Sequence, residues 1–136
     1  MAKLNNKGRN HNHGRFAGIP VVVMDSPDYA GLSYKAKALL FDLAYQYRGH
    51  NNGDLTVALS VLKKRGWKRG ATITDTVKEL TNANLIIKTR QGQWCNPGSK
   101  CALYALTWQP INDCRGKDLE VDPTITPPRK FSLEKR

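Results

Sequence analysis

KKRGWKRGATITDTVKELTNANL, residues 63–85, is the stretch whose reading decides the fold. Lys63, Lys64, Arg65, Lys68 and Arg69 crowd its first seven positions, and a helical pattern starts where that run ends. Ile73, Val77 and Leu80 recur at helical spacing and define one apolar side. The opposite side carries Lys68, Ala71, Asp75, Lys78, Glu79 and Asn82, flanked by Thr72 and Thr74. The spacing predicts a helix over 70–83, ended by Asn84 in the left-handed conformation. A helix macrodipole favours acids at the N-terminus, so Lys68 and Arg69 cost local stability there. Something outside the helix must offset that cost, and a phosphate backbone is the obvious candidate. Lys63, Lys64 and Arg65 differ, because they close the preceding helical pattern, where cations suit the dipole. Those three have a structural reason as well as a functional one.

Upstream of this stretch, residues 55–66 (LTVALSVLKKRG) predict a short second helix with Thr56 as N-cap and Gly66 as its end. Residues 32–49 carry the clearest helical pattern in the chain. Ser33 is a suitable N-cap, Ala36, Leu39, Leu40, Leu43 and Tyr47 share one face, and Gly49 is the expected stop. NNGD at 51–54 is a turn signal. IPVVVM at 19–24 reads as a short strand or an extended segment over the core, with Pro20 arguing against a central strand. Residues 1–18 read as a mobile basic arm, suited to following a DNA backbone or minor groove. His11 and His13 lack further ligands, so no metal is expected there.

Downstream, residues 85–90 (LIIKTR) and 101–108 (CALYALTW) read as two alternating strands joined by a turn-rich loop at 91–100. Leu103, Ala105 and Thr107 would face one side, and Tyr104, Leu106 and Trp108 the other. Cys95 and Cys101 would face one another across this hairpin, where a disulfide or zinc would stiffen it, although two sulfurs do not complete a zinc site. Residues 110–136 read as a tail or strap without independent structure. It contains an acidic cluster at 113–122, and Phe131 and Leu133 are candidates to pin it to the core or to a partner.

The 136 residues make one domain of ordinary size with tails. A formal net charge of +11 favours polyanionic partners. No apolar run approaches the roughly 20 residues needed to span a bilayer. The basic N-terminus lacks the apolar segment of a secretory signal, and the three irregularly spaced cysteines suit a reducing compartment, so a cytoplasmic location is expected. No nucleophile–base spacing, Gly-rich phosphate loop or H-E-x-x-H pattern is present, so neither an enzyme, a cofactor, a metal nor a small-molecule substrate is expected.

Several motifs occur in a telling order: Leu32-Ser33 followed by AKALLFDL, then NNGDL, and GW ahead of the 70–83 helix. After them come KEL and NLI, TRQGQ, and finally YALTW. Over about residues 16–113 this ordered set resembles the winged helix-turn-helix proteins of bacterial phages and mobile elements. The resemblance implies an α+β fold of three helices followed by a two-stranded β-hairpin wing at 19–109, between a basic arm (1–18) and a tail (110–136). It further implies a sequence-specific double-stranded DNA-binding protein acting in transcription regulation or replication, as a possible homodimer. The third helix would enter the major groove, and the wing at 91–100 would reach a neighbouring groove or backbone. Asn84 replaces the Gly often found in such proteins. Arg69 stands where a Ser or Thr cap is usual, which favours a phosphate or base contact.

The candidate DNA-binding residues are therefore Lys63, Lys64, Arg65, Lys68, Arg69, Arg90 and Lys100, with Thr72, Asp75, Thr76 and Lys78 as base readers. Asp75 and Glu79 would repel phosphate unless they face cytosine amino groups, pair with cations or point away. Trp67 either fills the space between helices, the reading preferred here, or stacks on a base. Trp94 in the wing loop is the better contact residue, and Trp108 is expected in the core. Two alternatives remain on the same fold: a protein-interaction module, and an RNA or single-stranded DNA binder using Trp94 and Tyr104 for stacking.

Overall fold

The computed structural model describes residues 14–95 and 98–134, with only the backbone described at 94, 95, 98 and 99. The fold is α+β. Its elements are α1 (Val21–Met24), α2 (Pro27–Ala30), α3 (Tyr34–Gln46), β1 (Leu55–Thr56), α4 (Leu59–Leu62), α5 (Gly70–Asn82), β2 (Ile86–Arg90), β3 (Gln93–Cys95), β4 (Gly98–Lys100) and β5 (Leu103–Leu106). Single 3₁₀ turns follow α4 at Lys63–Arg65 and close the described chain at Phe131–Leu133. The expectation of three helices and a two-stranded wing needs correction on both counts. Five α-helical segments are present among the described residues, and the main sheet has three antiparallel strands in the order β1-β5-β2, with β3 and β4 forming a separate ladder.

Two misread segments account for the difference. Residues 19–24 are rich in β-branched side chains, yet Val21–Met24 is helical, with the Pro20 carbonyl at its N-cap accepting hydrogen bonds from the N–H groups of Val23 and Met24. Burying Ile19 and Val23 in the core overrides their β preference. Thr56 caps no helix. It pairs with Leu103 while Leu55 pairs with Tyr104, and α4 starts only at Leu59, behind Ala58.

Ser33, Gly66 and Asn84 take the helix-end roles expected of them, whereas Thr56 and Gly49 do not. Ser33 Oγ accepts the Ala36 N–H at 3.1 Å and caps α3. The stop differs in detail: α3 ends at Gln46, and Gly49 adopts its left-handed conformation in the loop beyond. Gly66 at φ +98° and Asn84 at φ +57° end the 3₁₀ turn and the α5 region in the left-handed conformation. The Leu39, Leu40 and Leu43 face of α3 packs against the Ile73, Val77 and Leu80 face of α5 in one core.

β5 is buried throughout, so the expected alternation between an inner and an outer face does not appear as a burial pattern. Tyr104, Leu106 and Trp108 belong to the helix-facing core. Leu103, Ala105 and Thr107 are equally covered. Residues from the 110–134 segment close over this side of the molecule. Gly53, at φ +122°, sits so tightly against Leu119, Ile111 and Cys114 that a Cβ there would lie 3.0 Å from Leu119. The segment is a strap rather than a loose tail. Phe131 is buried and pins it, whereas Leu133 stays 75% exposed.

Asn52 organises the crossing point. Its side-chain amide donates to the carbonyls of Leu106, Gln109 and Pro110 at 3.0–3.1 Å, and its Oδ1 accepts the Leu106 N–H at 2.8 Å. Asn112 closes the same junction with two further hydrogen bonds to the Asn52 backbone.

Candidate nucleic-acid interface

Residues 63–69 are held as a tight connection between α4 and α5. Gly66 makes the reversal, and Asp42 on α3 clamps it by accepting the Trp67 Nε1–H at 2.7 Å and pairing with Arg65 at 3.3 Å. The Arg65 guanidinium also lies over the Tyr45 ring, 4.3 Å from its centroid. Trp67 is half-buried against the core, in line with the packing reading, and Trp108 is buried.

The clamp leaves the other cations outward. Lys63, Lys64, Lys68 and Arg69 are exposed, and among the described residues none has a side-chain hydrogen bond or ion pair. Arg69 is the N-cap residue of α5 in extended conformation (φ −131°, ψ 132°), with no side-chain cap and no acid in the first turn. The first amide groups of a helix have no intrahelical partner. Lys68 and Arg69 therefore stand beside the uncapped amides of α5, and no group among the described residues compensates for the unfavourable dipole interaction.

Along α5, Asp75 and Lys78 are exposed as expected and Thr72 is half-exposed. Thr76 is not an exposed reader: it is buried, and its hydroxyl donates to the Thr72 carbonyl at 2.7 Å. It lies next to Val77 and one turn from Ile73, so the helix rotates it to the core edge. Glu79 takes the third option foreseen for it and points away. Its carboxylate accepts both the Ser33 N–H (2.7 Å) and the Ser33 hydroxyl (2.8 Å). In a capping box an acid three residues into the same helix makes this contact. Here that position is Ala36, and α5 supplies the carboxylate from across the helix pair.

The hairpin cations behave differently from those of the turn. A register shift between Lys88 and Arg90 leaves Thr89 as an inserted residue, with its hydroxyl donating to Gly53 O at 2.6 Å. Arg90 then turns inward to donate to the carbonyls of Cys101 and Lys117 at 2.6–3.0 Å. Lys100 pairs with Asp118 at 2.8 Å. The hydrogen bond from Lys100, then its charge and that of Arg90, hold the Asp118 carboxyl below its ordinary pKa. Glu120 accepts the Gln91 N–H at 2.7 Å. The acidic cluster thus rests against the base of the hairpin. Sequence spacing gave no signal of this, because the partners lie 18–29 positions apart.

The Trp94 side chain lies outside the described residues, as do His11, His13 and residues 1–13. Cys95 pairs with Gly98, and Cys101 falls beyond the β3–β4 ladder, so the two cysteines do not oppose one another. Cys101 and Cys114 are free thiols, and burial raises the pKa of Cys114, helped by Asp54 and Asp113. No cluster of His, Cys, Asp or Glu able to hold a metal occurs among the described residues. None of their helices is long and apolar enough to cross a membrane. No protein-family model, curated protein or solved structure matches the chain.

Proposed function

We propose that this chain is a duplex-DNA-binding protein of the winged-helix type, serving transcription regulation or replication of a mobile element. The single observation that carries the reading is the set of unpaired cations at the uncapped start of α5. The element order supports it: α3, β1, α4, α5 and then the β2–β5 hairpin, with β1 on the far edge of β5. In this reading α5 lies in the major groove, and Lys63, Lys64, Lys68 and Arg69 hold phosphates on either side of it. Thr72, Asp75 and Lys78 face base edges, and the β3–β4 tip reaches the adjoining backbone. Thr76 and Glu79 support the helix from behind.

Fluorescence anisotropy with duplex DNA across a salt series tests the proposal. Each phosphate neutralised contributes about 0.9 to the slope of log affinity against log salt, so the four free cations give a slope near −3.6. Absence of binding at about 50 mM salt, or affinity that does not change with salt, overturns it.

A further inference from the structure

A second feature lies beside α5 rather than on its outward face. Between α3 and the 65–69 connection is a cleft of about 630 Å³, within the size range of small-ligand sites. Lys35 and Phe41 line one wall, Trp67, Lys68 and Arg69 the other, with Asp42 between them. A smaller depression continues it past Arg65 to Tyr45, Val61 and Lys64.

The chemistry of this surface is mixed in a specific way. Phe41 is 40% and Tyr45 45% exposed, in a region otherwise rich in charge. Its acid, Asp42, is already engaged by Arg65 and Trp67. Lys35, Lys64, Lys68 and Arg69 are exposed, and their side chains have no hydrogen bond or ion pair with a described residue. The cleft is therefore strongly cationic, with an aromatic wall. Phe41 and Tyr45 are one helical turn apart, about 6 Å along α3. The Arg65 guanidinium lies over the Tyr45 ring, 4.3 Å from its centroid, and a guanidinium is a planar group on which bases stack much as they do on aromatic rings.

Duplex DNA would use the cations but not the aromatic wall, because its base faces are stacked on each other. A nucleic-acid strand with unpaired bases uses both. We propose that the cleft binds unpaired nucleotides of single-stranded nucleic acid, one base against Phe41 and the next on the Arg65 plane. Lys35, Lys68 and Arg69 hold the connecting phosphates. This goes beyond the duplex reading and shares Lys68 and Arg69 with it. Binding both forms suits a protein that sits where duplex gives way to single strand.

The test compares labelled 12-nucleotide thymidine and uridine oligomers with an abasic oligomer of the same charge, using the full chain. Base-dependent binding, with either base-bearing oligomer about tenfold tighter than the abasic one, is the expected result. Phe41→Ala removes most of that preference while leaving duplex affinity unchanged, and Phe41→Trp restores it. Phe41 is partly exposed, and thermal unfolding of both variants verifies that they fold. Equal affinity for all three oligomers, or a preference that survives Phe41→Ala, overturns the proposal. So does an oligoglutamate of equal charge binding as tightly as thymidine. Failure of duplex binding alone would sink the winged-helix reading and leave the cleft standing.

Discussion

Two groups of basic residues in this molecule have opposite fates. In the 63–69 connection, the side chains of Lys63, Lys64, Lys68 and Arg69 meet no acid or carbonyl among the described residues, and Arg65 is the cation that is clamped, by Asp42. At the hairpin base and in the strap, Arg90, Lys100 and Arg129 are engaged by the fold. Arg90 bonds two carbonyls, and Lys100 pairs with Asp118. Arg129, whose side chain is 11% exposed, pairs with Asp28 and Glu134 at 2.6–2.7 Å and donates to the carbonyls of Ala83 and Asn84. Its hydrogen bonds to Glu134 first, then to Asp28, raise its pKa despite burial. A net charge of +11 therefore says little about where a polyanion would bind. Cations already satisfied by the fold hold the chain together, and the unsatisfied ones are left for a partner.

The comparison is most easily broken at its strongest structural point. Asn52→Ala removes the side-chain partner of the Leu106, Gln109 and Pro110 carbonyls and of the Leu106 N–H, at a buried to half-buried junction. It is expected to cost about 3 kcal/mol or more. Urea unfolding measures this as a lowered midpoint, and a change below about 1 kcal/mol would show that the strap is not anchored there.

Next comes the turn. Replacing Lys68 and Arg69 together by Glu should weaken duplex binding about 100-fold and flatten the salt slope by roughly 1.8. The same variant should gain up to about 1–2 kcal/mol of stability, because acids suit the α5 N-terminus. Affinity and stability moving in opposite directions is the signature of cations placed for a partner; a parallel loss of both would refute the division drawn above.

Arg90→Ala should do the reverse, losing about 1–2 kcal/mol of stability with less than a tenfold change in duplex affinity. Calorimetry and anisotropy on one sample decide this. The smallest effect concerns Asp118. Its carboxyl titrates below the ordinary 3.8 because Lys100 favours the charged form. The contact therefore contributes fully above that ordinary value and is lost as pH falls through the lower, folded one. An NMR titration should show the midpoint returning toward 3.8 in Lys100→Ala.

Much of the central region was legible because its signals are local. The Ser33 cap, the α5 face of Ile73, Val77 and Leu80, and the left-handed Gly66 and Asn84 all follow from conformational preferences within a turn or two. The exposed Lys68 and Arg69 were legible for the same reason, since helix phase and dipole assign their position. The strand at Leu55–Thr56 was not legible, because two residues carry no period and pair only when β5 lies alongside. Val21–Met24 went the other way, its β-branched residues made helical by what they bury.

By itself, then, the sequence determined the helical phases, their ends and the excess of positive charge, all properties of neighbours along the chain. Tertiary structure alone decided which charges remain available. Glu79 turns to Ser33, Thr76 turns inward, Asp118 reaches Lys100, and Asn52 gathers carbonyls more than 50 positions away. Such pairings depend on folding geometry that no spacing rule encodes. The physical reason is that a polar group removed from water must find a partner wherever the fold places one.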